Sequence, residues 1–183
     1  MRFCYFYEMK RTVLQTLIDH FQFDQLPVEG TFYKSTYRSV REFGDGSPMG
    51  TGIIALFCEE PLSVSRFHRL THDEIWHFYG GDPLVLYLLY DDGSSAEIIM
   101  GNDPLQGHHV QYVVPANVWQ AGCIKEGGCY SLYGCTMAPG FTGTCFEGAI
   151  AETLIVQYPD RANVIKKLSV NGHETHMPEG YAI

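Results

Sequence analysis

Four side chains able to carry a proton or bind a metal, His68, His72, Glu74 and His77, fall within ten residues in Ser65-Arg66-Phe67-His68-Arg69-Leu70-Thr71-His72-Asp73-Glu74-Ile75-Trp76-His77. Imidazole exchanges protons near neutral pH, and burial raises a carboxyl group toward the same range. A His/Glu couple in an apolar cavity is therefore suited to proton transfer, with His68 as base and Glu74 orienting or charging it. The bland alternative is a buried hydrogen-bonded pair that specifies a core. If 74–78 is a strand, Glu74, Trp76 and Phe78 face one way while Ile75, His77 and Tyr79 face the other.

Other residues extend this set. Tyr33 is a candidate acid, completing a proton-transfer group with His68 and Glu74. Trp76 and Trp119 either stack a flat ring, sugar or base, or fill the core. His77, Gln111 and Gln120 are further candidate ligand-binding residues, as are Lys34 and Arg38 for a phosphate. Along a regular strand, however, Lys34 and Arg38 share the face opposite Tyr33, where solvated charges are the ordinary reading. His108 and His109 fit pocket, interface or surface equally, and His173 and His176 fall in the tail.

The elements that must position these groups are mostly short strands. Val13, Leu14, Leu17, Ile18 and Phe21 recur at helical spacing, predicting an N-terminal helix over about 10–21. From residue 28 the chain alternates aromatic and polar residues, then passes through apolar runs at 51–58, 62–70, 74–79, 84–90, 96–100, 110–114, 119–124 and 129–136. Asp91-Asp92-Gly93-Ser94 is a hairpin signal, because Asp and Gly tolerate positive φ. A short helix is predicted at 161–168, and the tail at 171–183 reads as flexible. With 183 residues and no repeat or linker, the expectation is one domain with a barrel core over about 28–158.

A formal charge of −9 argues against a nucleic-acid partner, while leaving room for a local basic pocket. No apolar stretch approaches the roughly 20 residues of a membrane helix, so no membrane partner is expected. The opening Met1–Arg11 carries too short an apolar run for a secretory signal. The expected location is thus cytoplasmic, with the six cysteines reduced. They form no Cys-x-x-Cys or zinc-type spacing, so buried free thiols are expected, with a Cys129–Cys135 disulfide as the alternative.

At this point the sequence resembles the cupin superfamily, whose first motif places two histidines one residue apart, then a glutamate, then a glycine. His68, Glu74 and Gly81 match it; the second histidine would fall at Arg69 or Leu70, neither of which supplies an imidazole. Gly107, Pro115, Asn117 and Gln120 fall at the second motif, with Asn117 in place of a glycine and Gln120 in place of the final histidine. The blocks PVEGTFYKSTYRS (27–39), SRFHRLTHDEIWHFYGGDPL (65–84), GHHVQYVVPANVW (107–119) and GCTMAPGF (134–141) are similar to a family of cupins known as a domain of unknown function. This resemblance covers about 14–156. It implies a mainly β fold, a double-stranded β-helix (jelly-roll) barrel with a few short helices at the termini, often a homodimer, with the architecture of deoxy-sugar nucleotide epimerases.

Three functions from different classes follow. The first is a small polar ligand in the barrel, such as a nucleotide or nucleotide sugar, bound or isomerised by proton transfer without a cofactor. The second is a divalent metal enzyme with His68, Glu74 and Gln120 as ligands. The third is a non-catalytic dimeric scaffold.

Overall fold

Strands dominate because apolar residues alternate or run continuously in short segments closed by turns. The computed structural model describes residues 2–170, 172 and 174–183, with side chains from residue 8 onward. Asn171 and His173 lie outside the described residues.

Helix α1 (Arg2–Phe21) precedes β1 (Asp24–Gln25), β2 (Phe32–Arg38), β3 (Thr51–Cys58), β4 (Ser65–Leu70) and β5 (Glu74–Gly81). Then come β6 (Leu84–Leu89), β7 (Ser95–Met100), β8 (Gln111–Val114), β9 (Trp119–Ile124), β10 (Tyr130–Met137) and β11 (Phe146–Gly148), followed by α2 (Ala151–Gln157) and α3 (Ala162–Leu168). A six-stranded sheet in the order β1-β2-β3-β10-β5-β8 faces a five-stranded sheet in the order β11-β4-β9-β6-β7. The fold is thus mainly β, two antiparallel sheets closed on one core, as the strand pattern implied.

The pleat assigns the faces. In β10, Tyr133, Cys135 and Met137 turn inward and share a core with Ala55, Phe57, Trp76, Leu84, Leu86 and Ile124. On the outer face of the six-stranded sheet, Leu14, Leu17 and Ile18 of α1 pack on Leu56, Cys58 and Cys129. That apolar stripe is why the helix docks, and α1 begins well before the position expected from its periodicity. On the other side, Leu154, Tyr158, Ile165 and Leu168 from the C-terminal helices cover Phe67, Trp119, Ala121 and Cys123. Cys58, Cys123, Cys129, Cys135 and Cys145 are all free and buried. No described helix is long and apolar enough to cross a membrane.

Three backbone features matter for the site. A bulge between Ser35 and Tyr37 shifts the pairing of β2 with β3, so that Tyr33 lies opposite Ala55 but Arg38 lies opposite Thr51. A second bulge, between Ser65 and His68, sets His68 opposite Gln120 of β9. Asn117 adopts φ 65° in the turn before β9, donating its N–H to the Leu70 carbonyl at 2.7 Å. Asn tolerates this conformation better than residues with a plain Cβ. Asn117→Ala is therefore expected to cost about 1 kcal/mol in urea unfolding and Asn117→Gly close to nothing.

Residues 174–183 lie against the barrel. Met177 is buried in the barrel core with Tyr181 and Ile183 packed beside it, and the Thr175 and Tyr181 carbonyls accept from the Gly148 and Gly143 N–H groups. The polar composition of this tail hid three apolar anchors spaced irregularly, which no periodicity reveals.

Candidate functional site

The two sheets enclose a cavity lined by Thr51, Ile53, Glu74, Trp76, Tyr133, Cys135 and Met137 on one side and by His68 and Leu70 on the other. Leu26, Glu29, Phe141 and Ile183 complete its lining. Its volume is about 30 Å³, room for about two water molecules by a rule of about 10–15 Å³ each.

His68 reaches this cavity from β4 and is 2% exposed. Its Nδ1 lies 2.8 Å from the Arg66 carbonyl oxygen. A carbonyl only accepts, so Nδ1 carries a proton, and in the neutral ring Nε2 keeps its lone pair. Phe146 stacks on the ring at 5.0 Å between centroids and 17° between planes, fixing its plane.

Glu74 comes from β5 of the opposite sheet, also buried. Its Oε2 accepts from Trp76 Nε1 at 3.0 Å and from Gln120 Nε2 at 2.9 Å, while Trp76 Nε1 also donates to Gln120 Oε1 at 2.9 Å. Gln120 sits beside His68 in the five-stranded sheet, so its amide ties the two sheets together through Glu74. Burial pushes the Glu74 carboxyl above its usual range, and the nearby His68 and the Gln120 bond offset only part of that. With both donors aimed at Oε2, a bound proton sits on Oε1. Cys135, on the neighbouring strand, has its thiol pushed well up by burial and by the Glu74 charge. The cavity thus pairs an imidazole lone pair with a carboxyl group biased toward its protonated form, one from each sheet.

Trp76 is 1% exposed and lies parallel to Tyr133, at 4.9 Å and 3°, as part of the cavity wall. Glu29 was not legible from sequence. It enters the cavity from the loop between β1 and β2, where Val28 at φ 64° and Gly30 at φ 89° turn the chain, and its Oε1 accepts from Thr31 Oγ1 at 2.6 Å. The Gly30 that follows it was the available signal; a β-branched residue in the left-handed region was not foreseeable.

Several expected site residues lie elsewhere. Trp119 is in β9 but on its outer face, under the C-terminal helices, with the Arg69 guanidinium 4.6 Å over its ring. Gln120 takes the inward register, so its neighbour must face out, and the two tryptophans cannot share one ligand. His77 and Gln111 face each other across β5 and β8 on the outer face of the six-stranded sheet. Gln111 Nε2 donates to His77 Nδ1 at 3.2 Å, and His77 Nε2 donates to Thr136 Oγ1 at 2.9 Å. Partial burial lowers the His77 pKa, but the residue is remote from the cavity. Lys34, opposite Ile54, also points outward. Tyr33 points inward, yet its hydroxyl hydrogen-bonds to the Tyr181 hydroxyl at 2.6 Å and does not line the cavity. The bulge in β2 reverses the expectation for the register of Arg38, placing it opposite Thr51, where its side chain is exposed at the end of the strand.

The model of the cupin superfamily family DUF985 matches residues 15–149. The chain belongs to this family. Among solved cupin structures, the protein SO0799 from Shewanella oneidensis is 34% identical over 86% of this chain and 97% of its own, with a TM-score of 0.78. A hypothetical protein from Leishmania major is 28% identical over 86% of this chain and 98% of its own, with a TM-score of 0.75. Bacillus subtilis oxalate decarboxylase, at 11% identity and TM-score 0.50 over 88% of this chain and 41% of its own, shares the fold alone. No curated protein matches the chain.

The donor set of this cupin does not fit the metal centre of the superfamily. His68 is the one imidazole on the cavity wall, Leu70 stands where a second would fall, Gln120 Oε1 and Glu74 Oε2 both accept from Trp76 Nε1, and Glu74 Oε2 also accepts from Gln120 Nε2. Among the described residues, no group of three His, Cys, Asp or Glu side chains is placed to hold an ion.

Proposed function

We propose that this cupin binds a small polar molecule in its barrel and moves a proton between two positions of it. The observation that carries this reading is the hydrogen bond from His68 Nδ1 to the Arg66 carbonyl, which leaves Nε2 unengaged on a ring that lines a cavity shared with Glu74, whose pKa burial raises. His68 Nε2 takes a proton from an acidic C–H or O–H of the ligand, and Glu74 Oε1 returns one to the other face or neighbouring atom. The Glu74 carboxylate and His68 imidazolium that result restore each other's charge state by one proton exchange, so the cycle is balanced. Glu74 replaces Tyr33 as the acid, because the Tyr33 hydroxyl is engaged by Tyr181.

Isomerisation or epimerisation is the reaction class that needs only these two groups. The ligand class we favour is a nucleotide or nucleotide sugar whose ring enters the cavity, with Trp76 as a wall. The cavity as it stands holds about two waters, so a ligand of that size requires its walls to move. The reading is tested by a thermal-shift screen of nucleotides and nucleotide sugars. A hit should fade in His68→Ala, and deuterium from solvent should enter the bound compound in the wild type only. Deuterium entry that survives in His68→Ala overturns the assignment.

A second reading, a divalent metal cupin, is removed by elemental analysis of protein purified without chelator if the metal content is far below one per chain. A homodimer, placed in the cytoplasm, completes the proposal. The outer face of the six-stranded sheet leaves Tyr37, Tyr79 and Val113 about half exposed, an apolar surface that a second copy would cover. Light scattering at the mass of one chain would remove it.

A further inference from the structure

We propose that Glu29 selects what enters the barrel: its carboxylate receives an N–H donor of the ligand, an amino group or an amide edge, beside the proton-transfer pair His68 and Glu74. The inference deepens the proposed function and rests on it only in taking the cavity as the ligand site.

The backbone holds Glu29 in place. Val28 and Gly30, on either side of it, both adopt the left-handed conformation, at φ 64° and 89°. A β-branched residue stays there only when its surroundings over-determine the turn. Here Arg66 does so. Its N–H and its Nη1 donate to the Glu29 carbonyl at 3.2 and 3.0 Å. A Cβ at Gly30 would collide with the same Nη1, so glycine is what leaves room for the guanidinium. The Arg66 carbonyl in turn accepts from His68 Nδ1 at 2.8 Å. One residue of β4 therefore fixes both the turn that carries Glu29 and the ring of His68.

The Glu29 side chain is 8% exposed and lines the cavity. Thr31 Oγ1 donates to its Oε1, whereas its Oε2 receives no hydrogen bond among the described residues. Nor does any described cation pair with it. The cavity lining holds two carboxyl groups, Glu29 and Glu74, and no lysine or arginine. A buried carboxylate oxygen short of a donor is unfavourable until a donor reaches it. An anion in the same space would meet the Glu29 charge with no cation to offset it, so the phosphate of a nucleotide stays outside. What the cavity lacks, and a ligand can supply, is an N–H group. The Glu29 charge also adds to burial in favouring the protonated form of Glu74, so the residue that selects the ligand supports the acid beside it.

The test uses the intact protein with ¹³C-labelled glutamate and, separately, methylammonium chloride, formamide and sodium formate. Formamide and formate share a shape, but only formamide carries N–H donors. Methylammonium or formamide should move the Glu29 and Glu74 carboxyl resonances in a saturable titration, and formate should not. A response to methylammonium alone identifies an amino group, one to formamide alone an amide edge, and one to both the N–H donor itself. In Glu29→Gln, followed at the Glu74 resonance, the responses should be lost and Glu74 should titrate at lower pH than in wild type. Arg66→Met should weaken them severalfold while the neutral His68 ring keeps its Nδ1–H tautomer, because the carbonyl it bonds is main chain. Formate acting as strongly as formamide, sodium chloride as strongly as methylammonium chloride, silence of both donors, or responses that persist in Glu29→Gln overturn the proposal. The wild-type comparison stands even if a variant fails to fold. His68→Ala should abolish deuterium entry and leave the Glu29 responses in place, so a failure of proton transfer and a failure of the Glu29 assignment are distinguishable.

Discussion

Glu74→Gln is expected to keep the protein folded, to remove at least a hundredfold of any proton-transfer turnover, and to flatten the decline of stability toward alkaline pH. The amide oxygen of Gln can accept the same two N–H bonds from Trp76 and Gln120, so the link between sheets survives. What is lost is the transferable proton on the atom facing the cavity, and positioned acid or base groups contribute about 10²–10⁴-fold. The pH dependence follows from linkage. The folded carboxyl binds its proton more tightly than the unfolded one, because burial raises its pKa. Its stabilising contribution is therefore complete below the ordinary carboxyl value and is lost as pH rises through the raised folded value. Each unit of elevation corresponds to about 1.4 kcal/mol of that loss. Urea titrations across this window should show wild type falling and Glu74→Gln level. Parallel curves for the two proteins would mean that Glu74 ionises as freely as in the unfolded chain.

Trp76→Ala is expected to bring the largest loss of stability of any single change at the site, about 3–5 kcal/mol. Domains of this kind have about 5–15 kcal/mol in total, so the variant would sit near the threshold of folding. The ring stacks on Tyr133, and Phe57 lies 6.2 Å away between centroids. Gly122 leaves the space the ring occupies, since a Cβ there would stand 3.3 Å from Trp76 Cη2. Truncation also frees two buried acceptors, one on Glu74 and one on Gln120, from the donor they share. Trp76→Phe separates these effects. It keeps most of the apolar contact and drops the N–H, so its cost should be nearer the 1–3 kcal/mol of a buried group left short of a partner. The midpoint shift in urea at unchanged slope measures both.

The residues differ in how far their positions were legible. The hairpin at Asp91–Ser94 and the turn at Asn117 were readable because a local conformational demand is written in residue type, and both form. The facing of Glu74 and Trp76 was readable because β5 is regular from 74 to 78. The two bulges were not. A bulge is one extra residue that no composition marks, and it reverses the parity of everything beyond it, which is why Arg38 shares the register of Thr51 and not that of Lys34. Trp119 was misplaced for a related reason. Both faces of β9 are buried, one against the barrel core and one against α2 and α3, so hydrophobicity does not distinguish inside from outside. Tyr181 and Ile183 belong to irregular backbone, where only tertiary contact decides the position. Glu29 depends on Val28 holding a conformation that β-branched residues rarely adopt.

The most direct test of the account is heteronuclear NMR of protein with ¹⁵N-labelled histidine and ¹³C-labelled glutamate. The neutral His68 ring should be the Nδ1–H tautomer, and the Glu74 carboxyl resonance should titrate above the ordinary range. A His68 ring protonated on Nε2 alone, or a Glu74 resonance that titrates at the ordinary carboxyl value of 4.5, would contradict the acid and base assignment together.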